Sequence, residues 1–529
     1  MRIPIPGTTL RNFMLLWVLF PGTSCDVSDN PDNSVGAFPY EEWQIDDFRE
    51  AYAAETVTVR EVVEAYLDRI EALDQSGPEL NAVLQVNPDA LKLADSLDLL
   101  RASGSPVGPM FGIPVLLKDN LDTHDAMATT AGSRALAGSR PTKDSFVAKK
   151  LRESGAVILG KANLSEWANF RGELSSSGWS GMGGQTKNPY QLDRNPCGSS
   201  SGSAVAVSAN LSVLAIGTET NGSIVCPAHA NGIVGIKPTV GLVSRSGVIP
   251  ISDTQDTPGP MARTVKDAAI ALESLVGVDP EDAKTLASAG NYQVDYVQFL
   301  KKDGLKGKRI GWFKGPSGRN FKVDRLMEAA IAYMESQGAE IIPIDQVEPA
   351  GTGAHSLQVM LYEYKQGLNA YFESLGADAP IRNLEELIAF NERDSIELRH
   401  YNQFYLEQAQ QKGGLEETAY QEALASMLRM SRAEGIDKVL EENQLHAIVA
   451  PTGSPAWKTD PVNGDSFQLG SSSPAAHAGY PNISLPMGFV EGLPVGISIF
   501  GTAWSEPALL EIAYAFEQGT NHRKVPEFR

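Results

Sequence analysis

Pro196-Cys197-Gly198-Ser199-Ser200-Ser201-Gly202-Ser203-Ala204 is followed, after an apolar run at 213–216, by Gly217-Thr218-Glu219-Thr220-Asn221-Gly222-Ser223-Ile224. Both are glycine-containing turns that present serines, and Ser199 and Ser223 stand 24 residues apart. Upstream, Gly112-Ile113-Pro114-Val115-Leu116-Leu117 reads as a buried strand that ends in Lys118-Asp119-Asn120. Taken singly, these stretches are ordinary. Gly/Ser turns close loops and cap helices, and a lysine ending a strand usually reaches for solvent. Gly198 to Gly202 also fits G-x-S-x-G, which would make Ser200 the nucleophile of an α/β-hydrolase. That motif needs a strand directly before it, whereas 187–196 is a polar, proline-flanked loop.

Taken together, the three stretches supply a chemistry. A serine hydroxyl needs a base before it can attack a carbonyl. A lysine can serve only when neutral, and at its ordinary pKa roughly 0.04% is neutral at pH 7. Apolar neighbours such as Val115 to Leu117 disfavour the ammonium and lower that pKa, after which lysine can stand in for histidine. Glycines beside the serines let the backbone approach a substrate and aim N–H groups at a developing oxyanion.

These residues resemble the amidase signature family, whose catalytic unit is Ser-Ser-Lys. The resemblance implies Ser223 as nucleophile, Ser199 as the bridging serine and Lys118 as base. It further implies an oxyanion hole from the backbone N–H groups of Thr220, Asn221, Gly222 and Ser223, and a cis peptide bond between Gly198 and Ser199. Two positions depart from the family pattern: Asn221 stands for a glycine, and Ser201 for the second glycine of the first turn. The signature continues through Gly235-Ile236-Lys237-Pro238-Thr239 and Asp256-Thr257-Pro258-Gly259-Pro260-Met261-Ala262-Arg263. Thr218 to Pro227, Gln255 to Pro260 and Gly501 to Pro507 are similar to the bacterial peptide amidase subgroup. The implied reaction is release of ammonia from carboxamides, C-terminal peptide amides first. Small aliphatic or aryl amides are the alternative, as is an amidotransferase subunit that works with tRNA-dependent partners.

Working outward, 529 residues with 42% hydrophobic and 21% charged content can bury a large core. Apolar runs at 111–117, 156–159, 213–216, 309–312, 340–344, 446–450 and 495–500 read as strands. Helical patterns at 143–154, 264–276, 322–337 and 505–517 lie between many of them, so the class is α/β around a mainly parallel or mixed sheet. The resemblance makes this the amidase signature fold, an α/β/α sandwich around one large mixed β-sheet, in a catalytic domain spanning 41–529. A charged helical insertion interrupts the alternation at about 355–443. It reads equally as a border of the substrate cleft or as a lobe that only stabilises the sheet.

Residues 1–24 read as a signal peptide: Arg2 and Arg11 precede the short apolar core 13–20. Small residues before Cys25 resemble a lipoprotein processing site, although Gly22 sits where a larger aliphatic is usual. Residues 25–40 would then be a tether, and the protein would be exported, either periplasmic or membrane-anchored through lipid on Cys25. Cys197 and Cys226 flank the two serine turns. An oxidising compartment would permit a bridge, but buried free thiols are the expectation. The seven histidines are scattered and no C-x-x-C or H-E-x-x-H pattern is present, so neither a metal nor an organic cofactor is expected. Net charge −21 argues against nucleic-acid partners. A monomer or simple homo-oligomer acting on a small-molecule or peptide amide is the expectation.

Overall fold

The computed structural model describes residues 38–376 and 379–529. The expected signal peptide, Cys25 and most of the tether lie outside the described residues. Strands β1 (Val83–Val86), β2 (Pro114–Lys118) and β3 (Val157–Ala162) come first, followed by a small antiparallel pair, β4 (Trp179–Ser180) and β5 (Gly184–Gln185). Then come β6 (Leu214–Glu219), β7 (Val234–Lys237) and β8 (Thr257–Ala262). The second half adds β9 (Arg309–Phe313), β10 (Glu340–Ile344), β11 (Ala447–Pro451), β12 (Asn482–Val490) and β13 (Leu493–Phe500).

All but β4 and β5 join one 11-stranded sheet in the order β1-β3-β2-β6-β8-β7-β12-β13-β11-β9-β10. The sheet is mixed. β3, β2 and β6 run parallel, as do β11, β9 and β10, while β8, β7, β12 and β13 are joined by antiparallel pairing. Helices pack around it, as the α/β reading required. β2 and β6 are buried at every position, which is why their sequences are continuous apolar runs rather than alternating ones.

The wholly buried helix Ser201–Ser208 packs against β2, β3 and β6. Its small residues permit that approach: a Cβ on Gly202 would meet the Ala82 carbonyl oxygen at 2.2 Å and the Asn163 backbone at 2.6 Å. The expected insertion contains no strand among its described residues. Its helices are Thr352–Ser374, Leu384–Asn391, Phe404–Gln410, Thr418–Ser431 and Asp437–Asn443.

Four sheet strands went unread in the sequence: β1, β7, β8 and β12. β8 carries Pro258 and Pro260, which ordinarily exclude a central strand. They are accommodated because β7 pairs with β8 only at Met261 and Ala262, so the proline stretch maintains a single ladder, to β6.

Candidate active site

β2 delivers Lys118 and its parallel neighbour β6 delivers Thr218, so both side chains arise at the same end of the sheet. Lys118 Nζ lies 2.8 Å from Ser199 Oγ, 2.9 Å from Thr218 Oγ1 and 3.2 Å from the Thr218 carbonyl oxygen. Asn120 Nδ2 donates to the same Thr218 hydroxyl at 3.0 Å. No part of Lys118 reaches solvent. Burial pushes its ammonium down to about 7, against the opposing pull of the Asp256 and Glu219 carboxylates.

Two other lysines are equally buried. Lys161, on β3, donates to the Leu121 carbonyl and the Thr129 hydroxyl, and Lys237, on β7, to the carbonyls of Pro238 and Tyr480. Of the three, Lys118 is the one that contacts a serine.

Ser199 follows a cis peptide bond from Gly198, as the resemblance implied, and its carbonyl accepts from the Ser165 N–H at 3.0 Å. Ser200 is fully buried, and its hydroxyl donates to the Thr218 carbonyl while accepting the Thr218 N–H. A hydroxyl committed to a strand backbone is not poised for attack, and no strand precedes it. The α/β-hydrolase elbow reading is therefore rejected. The Ser200 N–H instead donates to the Ser223 carbonyl at 3.1 Å, joining the two serine turns. Ser201, the second departure from the family pattern, closes the first turn by donating its hydroxyl to the Cys197 carbonyl.

The second turn is wound around a carboxylate. Glu219 Oε1 accepts the Gly222 N–H, and Oε2 accepts those of Ile224 and Val225. Gly222 takes the turn at φ +85°, a conformation that a side chain would resist. Ser223 follows it, 8% exposed, just before the helix Val225–Ala230. Among the described residues, the N–H groups of Thr220, Asn221 and Ser223 carry no hydrogen bond, whereas the Gly222 N–H is committed to Glu219. Thr220 Oγ1 donates to Asp256 at 2.6 Å. The Asn221 amide turns toward the helix Ser473–Ala478, accepting from Ser472 Oγ and donating to Ser473 Oγ.

Sequence reading missed Thr218, Glu219 and Asp256. Glu219 carried a signal, being an acidic residue that ends an apolar strand, and Asp256 stood at the head of a signature stretch without its partner Thr220 being legible.

The free-thiol expectation is corrected. Cys197 and Cys226 form a disulfide, with their Cα atoms 6.0 Å apart. The left-handed backbone at Cys197 (φ 58°) and the position of Cys226 in the helix that follows Ser223 bring the two sulfurs together. The bridge ties the residue two before Ser199 to the residue three after Ser223.

An amine deprived of water and touching a hydroxyl can exchange a proton with it, as a serine-based acyl-transfer enzyme requires. The sequence profile of the Amidase family matches residues 61–510, and the chain belongs to that family. It is thus a hydrolase of carbon–nitrogen bonds in amides. A protein of Arabidopsis thaliana described as a probable amidase is 44% identical over 506 residues, covering 93% of this chain and 92% of that one. The solved peptide amidase of Stenotrophomonas maltophilia is 49% identical with a TM-score of 0.89, covering 93% of this chain and 99% of that one. A protein of Microcystis aeruginosa described as one of the subunits of glutamyl-tRNA(Gln) amidotransferase is 34% identical, covering 89% of this chain and 96% of that one.

Replacing Cys197 and Cys226 together by alanine removes a cross-link across a sequence separation of 29. Chain-entropy arguments put the loss of stability at about 3.5 kcal/mol for a loop of that length. Chemical denaturation of the double variant against the oxidised protein measures it, and coincident midpoints would contradict it.

Proposed function

We propose that the protein hydrolyses free carboxamides, C-terminal peptide amides above all, by an acyl-enzyme mechanism with Ser223 as nucleophile, Ser199 as bridge and Lys118 as base. The observation that carries this reading is the 2.8 Å contact between a fully buried Lys118 amine and Ser199. A neutral amine has two hydrogens and one lone pair. The carbonyl oxygen of Thr218 can only accept, so the hydrogens go to it and to the Thr218 hydroxyl, and the lone pair is left facing the Ser199 O–H.

Ser223 Oγ then bonds to the substrate carbonyl carbon as its proton passes to Ser199 and the Ser199 proton to Lys118. The carbonyl oxygen becomes an oxyanion facing the N–H groups of Thr220, Asn221 and Ser223. Collapse breaks the carbon–nitrogen bond while the proton returns through Ser199 to the leaving nitrogen, and ammonia departs. Water repeats the sequence on the ester and releases the acid.

Likeness to the solved peptide amidase supports the peptide-amide substrate. Likeness to the amidotransferase protein supports a second reading, with cytoplasmic partners and a tRNA. The disulfide weighs against it, since cytosolic thiols are kept reduced. We place the protein outside the cytosol, either soluble in the periplasm or anchored through Cys25. The short apolar core at 13–20 and the bridge both favour export. N-terminal mass analysis of protein from the native host should show residues 1–24 removed, and an intact Met1 in the cytosol would refute export.

Ser223→Ala should abolish turnover, and a fluorophosphonate should label Ser223. Lys118→Ala should lower kcat by about 10³-fold with little change in KM. Because only the neutral amine can take a proton, wild-type kcat should rise with pH through about 7 and then level off. Near-normal kcat in Lys118→Ala would remove lysine from the mechanism.

Selectivity is tested with an amidated pentapeptide and its free acid, read by mass spectrometry. The amide should become the acid while the free acid stays intact, because an internal bond carries a whole residue on the leaving nitrogen. Internal fragments, or turnover of only small aryl or aliphatic amides, would overturn the peptide-amide reading.

A further inference from the structure

Asp256 is buried and stands immediately before β8, with no part in the proton path described above. Its Oδ1 accepts the Thr220 hydroxyl at 2.6 Å, and its Oδ2 accepts the N–H groups of Ile251 and Ser252 at 2.7 and 2.9 Å. It therefore fastens the loop 251–256 to Thr220 in the second serine turn, whose N–H is one of the three without a partner.

The other side of that loop is held by the helical insertion. Glu363, on the helix Thr352–Ser374, accepts from the Ser252 hydroxyl, from the N–H and hydroxyl of Thr254, and from the Tyr420 hydroxyl. A cavity of about 450 Å³ opens between this helix and the loop, with Asp256 in its wall. A continuous set of hydrogen bonds thus runs from the insertion through the loop to Thr220.

We propose that Asp256 is a positioning residue for amide hydrolysis: its carboxylate fixes Thr220, and with it one N–H donor to the oxyanion. The inference rests on the Ser-Ser-Lys reading. Threonine is β-branched and restricted at χ1, so a hydrogen bond from its hydroxyl to a buried carboxylate also restrains the backbone that carries it. Donors to an oxyanion act only when preorganised.

The charge has a separate consequence. Lys118 is faced by two carboxylates, Asp256 and Glu219, and Glu219 already accepts three N–H groups. Around Asp256 itself stands Arg245, paired with Asp253 and Asp282, and burial raises the Asp256 carboxyl to about 6, so its charge is present from about that pH upward, through the range in which Lys118 titrates. Glu363 faces it across the cavity, and Lys284 there pairs with Asp253. A negative charge near Lys118 favours its ammonium, so removing it makes the amine neutral at lower pH. The acidic limb of kcat should accordingly move down in Asp256→Asn.

Three variants separate the tether from the charge. Thr220→Val deletes the hydroxyl and keeps the backbone N–H and the Asp256 charge. It should lower kcat about tenfold, with KM within about twofold of wild type and the acidic limb unmoved. Thr220→Ser restores the hydroxyl and should recover most of the activity. Asp256→Asn should both lower kcat and displace the limb to lower pH, and adding Thr220→Val to it should have little further effect.

Wild-type kcat in Thr220→Val, or in a folded Asp256→Asn, would overturn the proposal. If Asp256→Asn does not fold, the Thr220→Val and Thr220→Ser pair decides, since neither touches the loop bonds to Ile251 and Ser252. Failure of the Ser-Ser-Lys reading itself would show differently, as activity surviving in Lys118→Ala.

Discussion

A lysine amine wholly removed from water is the constraint from which the rest of the site follows. Holding it charged there would incur a desolvation penalty of several kcal/mol, and its nearest atoms are the neutral oxygens of Ser199 and Thr218. The fold keeps water away by burying β2 and β6 at every residue and laying the small-residue helix Ser201–Ser208 across them. The remaining polar groups nearby are then obliged to satisfy one another. Ser200 is tied to the β6 backbone, Glu219 collects three N–H groups and Asp256 takes three donors. What is left over is the serine pair and a turn with unpartnered N–H groups.

Much of this was legible because the decisive signals are local. The serine turns and the lysine-ended apolar strand are each contiguous in sequence, and continuous apolar runs such as 340–344 coincide with a strand to the residue. β8 was not legible, because two prolines speak against a central strand unless the reach of its neighbour is known. β7 and β12, likewise, are defined by whom they pair with rather than by their own pattern.

The same division holds within the site. Lys118, Ser199 and Ser223 announce themselves by residue type and context, whereas the contribution of Thr218 exists only once β2 and β6 lie side by side, and that of Asp256 only once β8 joins β6. The disulfide belongs to this second group. Nothing in the composition says that Cys197 adopts a left-handed backbone, yet that conformation helps bring it within bridging distance of Cys226.

The strand order also carries a message about synthesis. β12 and β13, encoded by residues 482–500, lie in the middle of the sheet, between β7 and β11. A nascent chain that has not yet reached them already contains every residue of the proposed proton path. Its sheet nevertheless stops at β7, with a row of unpaired backbone groups along an open edge, a surface prone to mispairing. The two halves of the sheet meet only through this hairpin, so the groups of the proposed proton path, encoded earlier, gain their finished scaffold only once residues 482–500 have been made. Whatever joins the two halves of the sheet must therefore wait for the hairpin 482–500.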